Sequence, residues 1–152
     1  MMIYLGTDHR GFELKEKIKT WLADWKIPFE DLGNTVYDQT DDYPDFAAQV
    51  ARRVAESPEE NRGIMLCGSA VGVDIVANKF RGVRSAVVWS DDAALVKQSR
   101  QHDGANVLAL PADHLTEEQA KNIVKLWLET PSPSEERHLR RLQKIADLEV
   151  QP

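Results

Sequence analysis

Gly63-Ile64-Met65-Leu66-Cys67-Gly68-Ser69-Ala70-Val71-Gly72 joins a short apolar run to a glycine-bounded turn, and the residues beyond it, to Asn78-Lys79, carry helical patterning. Strand, sulfur, a loop of backbone N–H groups and helix are therefore contiguous, as an anion-holding strand–turn–helix unit requires. A thiol at a helix N-terminus sits beside free N–H groups and the positive end of the dipole. Cys67 is thus expected to ionise below the usual value of about 8.5 and to serve as a base or nucleophile. The bland alternative makes Cys67 a small buried hydrophobe and the glycines mere turn formers.

Outward from this unit, short apolar runs alternate with longer amphipathic ones. Ile3-Tyr4-Leu5, Pro28 to Leu32, Ile64 to Cys67, Ser85 to Trp89 and Asn106 to Leu110 read as five strands. Helices are expected around Phe12 to Leu22, Phe46 to Val54, Val73 to Val76 and Ala93 to Ser99, and from a Thr116 N-cap through Leu128. Parallel neighbours need helical crossovers, so the alternation predicts a Rossmann-like α/β/α sandwich around a five-stranded parallel sheet. After a connection at 131–134, Ser134 can cap an extra C-terminal helix over 135–148, with Leu142, Ile145 and Ala146 as its apolar stripe. Arg137 and Arg141 stand four apart on another face, as a phosphate clamp or simply as a solvated surface.

The 152 residues fit a single domain over 1–152. A formal charge of -6 argues against nucleic acid or an anionic membrane as partner, so a phosphate would have to meet a local basic cluster. One cysteine cannot staple the fold, and no run approaches the ~20 apolar residues of a membrane span, so a reduced, cytoplasmic protein is expected. Four histidines without paired spacing and one cysteine predict no zinc site, and no metal or cofactor is expected.

Ligands of open parallel sheets bind beyond the carboxyl ends of the strands. Asp8 and His9 follow the first strand, Tyr43 follows the second and Cys67 the third. Asp8 could instead cap the next helix, Tyr43 could be a packing residue beside Pro44, and His102 could be a helix C-cap cation. A Cys-x5-Arg phosphatase loop fails because Val73 holds the arginine position, and Ala70 breaks the Gly-x-Gly-x-x-Gly of a dinucleotide fingerprint.

Several segments taken jointly carry a resemblance: Gly6-Thr7-Asp8-His9-Arg10-Gly11-Phe12-Glu13-Leu14-Lys15, Asp31-Leu32-Gly33, Asp42-Tyr43-Pro44-Asp45-Phe46-Ala47, Cys67-Gly68-Ser69 with Gly72, Ala77-Asn78-Lys79, Gly82-Val83-Arg84 and Ala105-Asn106-Val107-Leu108. Together they resemble the type B ribose-5-phosphate isomerase family, which includes galactose-6-phosphate isomerase subunits. The resemblance implies metal-free aldose–ketose interconversion of a sugar phosphate through an enediolate, with ribose 5-phosphate and ribulose 5-phosphate as the first candidates. Another pentose or hexose, or a catalytically impaired binding protein, is the alternative.

It further implies that Cys67 moves the proton between C2 and C1, that Ser69 relays protons or holds a hydroxyl, and that His102 and Asp8 assist ring opening. Tyr43 would border the sugar. His9, Arg137 and Arg141 would hold the phosphate, and the loop amides of Gly68, Ala70, Val71 and Gly72 would face the enediolate. The chain departs from the family pattern at Ala70 and Pro111, where glycines are usual. It also has Asp103, at an asparagine position lining the substrate, and Asp113, where a phosphate-directed arginine is common. Ala70 predicts a costly positive φ.

The same topology bears on assembly. His102 precedes the fifth strand, so it belongs at the opposite sheet edge from Cys67, roughly 17 to 20 Å away for strands of this length. If both act on one sugar, a homodimer must share its sites; whether dimers pair into a tetramer is left open.

Overall fold

The computed structural model describes residues 1–149; the last three positions of the domain expected over 1–152 lie outside them. Strands β1 (Ile3–Thr7), β2 (Phe29–Asp31), β3 (Arg62–Cys67), β4 (Ser85–Val87) and β5 (Val107–Pro111) form one parallel sheet in the order β2-β1-β3-β5-β4. The chain skips a place between β3 and β4, and β5 returns to fill it. Six helices accompany the sheet: α1 (Phe12–Asp24), α2 (Tyr43–Ala55), α3 (Val71–Ala77), α4 (Ala93–Gln101), α5 (Glu117–Glu129) and α6 (Glu136–Leu148).

Side chains alternate along a strand, and here both faces are covered. Ile3, Leu5, Ile64, Leu66, Leu108 and Leu110 pack under α1, α4 and α5, with Trp127 the largest fully buried side chain of that layer. Tyr4, Met65, Val107 and Ala109 pack against α2 and α3. The three central strands β1, β3 and β5 are therefore buried along nearly their whole length, while the edge strands β2 and β4 are only partly covered, and each fully buried Leu or Ile contributes about 1.5–3 kcal/mol. Thr116 caps α5 as expected, in a reciprocal capping box with Gln119.

Each strand's bounds differ from expectation by a residue or two, and in β1 and β4 the reason is identifiable. β1 extends to Thr7 because β3 pairs with it as far as Thr7↔Leu66. β4 stops at Val87, short of Trp89, because it is an edge strand whose ladder to β5 ends with Val87↔Ala109.

α6 sits at the amino edge of the sheet, held by few contacts. His138 is buried there, Leu142 approaches Gly104, and Glu149 accepts from the N–H of Gly82 at 2.9 Å. The connection leading to α6 is fixed by buried Arg100, which donates to the carbonyls of Ala105 and Thr130 and to Ser132 Oγ. Among the described residues no helix is long and apolar enough to cross a membrane.

Candidate active site

β1→β2 runs to one side of β1 and β3 lies on the other, so the crevice between the carboxyl ends of β1 and β3 is the topological switch point. The register Thr7↔Leu66 sets the next residues, Asp8 and Cys67, side by side. Cys67 Sγ donates to Asp8 Oδ2 at 3.1 Å, while Asp8 Oδ1 caps the short 3-10 turn His9–Gly11 by accepting from Arg10 N–H. Asp8 is thus both the cap and the thiol's partner.

The expectation of a depressed thiol pKa is overturned. Half-burial of Cys67 and the adjacent Asp8 carboxylate push the thiol up to about 11, outweighing the N–H groups of Gly68 and Ala70 that favour the thiolate. The dipole argument fails because α3 is only seven residues long and starts four positions beyond the sulfur. The resting sulfur is a protonated donor to Asp8.

The loop Gly68 to Gly72 turns through Ala70, which takes the left-handed conformation (φ 61°) that the sequence marked as costly. Ser69 and Val71 are exposed at its tip, with Val71 N–H donating weakly to Ser69 Oγ at 3.4 Å. Tyr43, at the start of α2, lays its ring over Gly72, where a Cβ would come within 2.6 Å of the ring. A side chain at that position would displace the tyrosine from the crevice.

His9 is oriented by a residue that sequence reasoning missed. Asp41 Oδ1 accepts from His9 N–H at 3.1 Å and lies 2.7 Å from Nδ1, leaving Nε2 for a ligand; Tyr37 meets the same ring edge-on at 6.3 Å. The loop bearing Asp41 is anchored by Lys15, fully buried, which donates to Asp31 and to the carbonyl of Asn34. Burial alone would raise Asp31, but Lys15, Lys19 and the N–H of Gly33 hold it below the usual carboxylate range. The acidic pair Asp41-Asp42 before Tyr43 was the only sequence signal, and nothing in it points to His9.

Asp8, His9 and Asp41 offer ligating atoms within 4.8 Å of one another, the described residues nearest to a metal-ligand set. All four carboxylate oxygens already accept hydrogen bonds, from Arg10 and Cys67 at Asp8 and from His9 and Asn34 at Asp41. The cluster is an internal network that positions His9 and the thiol.

The carboxyl edge therefore gathers Asp8, His9, Tyr43, Cys67 and the Gly68–Gly72 loop. His102, Asp103, Arg137 and Arg141 are elsewhere. His102 caps the C-terminus of α4, Ala105 N–H bonds back to that helix, and Asn106 and Val107 bind the amino ends of the sheet, so these four belong to the opposite edge. Arg137 and Arg141 are exposed on α6, with Arg137 Nε donating to Glu135 at 2.8 Å. His102 stacks on His138 with ring centroids 4.2 Å apart, and burial, then His102 and Arg137, holds His138 below the ordinary histidine value.

A sulfur–carboxylate pair beside a loop of amides can accept a carbon-bound proton and stabilise a neighbouring oxyanion. Comparison with known proteins points the same way. The family model for Ribose/Galactose Isomerase matches residues 3–145. A probable ribose-5-phosphate isomerase B of Mycoplasma genitalium is 40% identical over 143 residues, 94% of this chain and 92% of its own. Ribose-5-phosphate isomerase B of Mycolicibacterium paratuberculosis is 38% identical, covering 98% of this chain and 92% of its own. The crystal structure of the M. genitalium ribose-5-phosphate isomerase B with bound ribulose-5-phosphate superposes with a TM-score of 0.95 at 38% identity, covering 99% of this chain and 97% of the other. The Trypanosoma cruzi type B enzyme gives 0.89 at 34% identity, covering 97% and 95%. With a family match running almost end to end and relatives of this identity, the chain belongs to the Ribose/Galactose Isomerase family.

Proposed function

We propose that this protein interconverts ribose 5-phosphate and ribulose 5-phosphate through an enediolate, with Cys67 moving the proton between C2 and C1. The observation that carries the reading is the 3.1 Å contact of Cys67 with Asp8 at the switch point, next to the amides of Gly68 and Ala70. The ribulose-5-phosphate bound by the M. genitalium protein supports the substrate.

Because the thiol is protonated at rest, Asp8 takes its proton as the sugar binds, and the thiolate then abstracts hydrogen from C2 of the open-chain aldose. Returning that proton to C1, with hydroxyl protons exchanged between O2 and O1, gives the ketose. Loop amides from Gly68 to Gly72 hold the enediolate oxygen, Ser69 relays protons, Tyr43 borders the sugar and His9 meets the phosphate. His102, which assists ring opening, Asp103, and the phosphate-binding Arg137 and Arg141 reach this crevice from a second subunit related by a two-fold axis.

Cys67→Ala should abolish exchange of the substrate C2 proton with deuterated solvent, followed by NMR, while ribose 5-phosphate binding changes by less than about threefold. Undiminished exchange would remove Cys67 as the base. The same assay on galactose 6-phosphate separates the five-carbon from the six-carbon substrate.

A further inference from the structure

Arg10 leaves the 3-10 turn after β1 and reaches over Gly68 to Asp113, in the turn after β5. Its Nε donates to Asp113 Oδ2 at 3.1 Å, and Nη2 donates to the same oxygen. Asp113 is tied to the catalytic loop in turn: its N–H donates to the carbonyl of Gly68 at 3.1 Å, and the N–H of Ala112 donates to that of Cys67 at 2.9 Å. A Cβ on Gly68 would lie 2.6 Å from Asp113 Oδ2 and 3.2 Å from Arg10 Nε, so the ion pair rests on the first residue of the loop. The backbone of the same arginine donates to Asp8 Oδ1. One residue thus bridges Asp8, the thiol's partner, and Asp113, which lies against the first residue of the loop.

Charge decides what this bridge does. Asp8 and Asp113 place two negative groups beside a loop of anion-facing amides, and a carboxylate within a few ångströms weakens a bound anion by on the order of tenfold. Arg10 offsets them. Its guanidinium is held above the ordinary value chiefly by Asp113, and also by the charge of Asp8. Asp113 occupies two of its five N–H donors and the side chain is 54% exposed, so three donors remain accessible.

We propose that Arg10 is a substrate-binding residue of this site: it presents its remaining donors to an oxyanion of the sugar phosphate bound beside Cys67, and Asp113 orients it and attenuates its charge. The substrate part of this proposal rests on the function inferred above; the charge part does not.

Cys67 is the chain's one cysteine, so alkylation reports a single place. The ratio of its rate constants with iodoacetate, an anion, and iodoacetamide, which is neutral, cancels differences in thiol ionisation and access. Arg10→Gln should lower this ratio about three- to tenfold, Arg10→Lys should hold it within about twofold, and Asp113→Asn should raise it. For turnover, Arg10→Gln should raise KM for ribose 5-phosphate about tenfold with a smaller change in kcat. An unchanged ratio in Arg10→Gln, or a falling one in Asp113→Asn, overturns the proposal, and Arg10→Lys and Asp113→Asn keep it testable if Arg10→Gln misfolds. A shifted ratio in a protein that does not isomerise ribose 5-phosphate would leave the anion site standing and remove the proposed reaction. Isomerisation with ratio and KM both unmoved would remove Arg10 alone.

Discussion

Cys67 and Asp8 hold one proton between them, and that proton links stability to chemistry. Asp8→Asn removes the charge that helps raise the thiol, so the Cys67 pKa should fall from about 11. Iodoacetamide should then label Cys67 faster at pH 8, while isomerase activity drops at least about a hundredfold, because an amide cannot take the thiol proton. Slower labelling would show that the carboxylate does not restrain the sulfur. The pH dependence of folding has a definite sign. The folded thiol binds its proton more tightly than the unfolded one, whose value is near 9.0, so this contribution is complete below pH 9 and is lost as pH rises toward 11. Cys67, Asp8, His9 and Tyr43 were legible in the sequence because each follows a strand. The direction of the thiol shift was not, because it depends on an oxygen 59 residues away that arrives through the β1–β3 register.

At the scale of elements, the helix and strand types were readable from apolar spacing, and the errors fall where tertiary pairing decides. The edge position of β4 shortens it, and the 33–42 loop acquires its role only through Lys15, Asp31 and Asn34, which pin it, and Asp41, which orients His9. The end of α1 shows local geometry working against residue type. Lys26 N–H donates to the carbonyl of Ala23 and Ile27 N–H to that of Leu22, a helix-terminating pair of bonds that requires Lys26 to be left-handed, at φ 58°. Glycine adopts this conformation without the penalty of a β-carbon. Because Lys26 is exposed and its side chain pairs with no other group among the described residues, Lys26→Gly should stabilise the protein by about 1 kcal/mol, or ~2–4 °C in Tm. A lower melting temperature in calorimetry would show that the lysine side chain contributes more than its backbone strain costs.

Across the whole molecule, the parallel sheet and its two edges could be derived from the βα alternation, whereas the insertion of β5 between β3 and β4 could not, since apolar spacing is the same for either order. The separation of the edges means that a site using both Cys67 and His102 would need a second chain. Five residue steps from Arg62 to Cys67 along β3 span about 17 Å, and His102 belongs to the Arg62 end. Exposed apolar side chains lie on the elements that would have to meet a second copy: Val71 and Ile75 on α3, and Leu139, Ile145 and Leu148 on α6. A two-fold dimer would cover such patches on both subunits at once and bring each α6, with Arg137 and Arg141, toward the opposite Cys67. Subunits carrying Cys67→Ala and subunits carrying His102→Ala should each be inactive alone. Random mixing makes half the dimers hybrid, and each hybrid holds one site with both residues intact, so activity should recover to roughly a quarter of the unaltered protein. Native mass spectrometry would establish that the subunits had exchanged. No recovery in a mixture proven to contain hybrids would show that Cys67 and His102 do not meet across subunits, and would overturn the shared site.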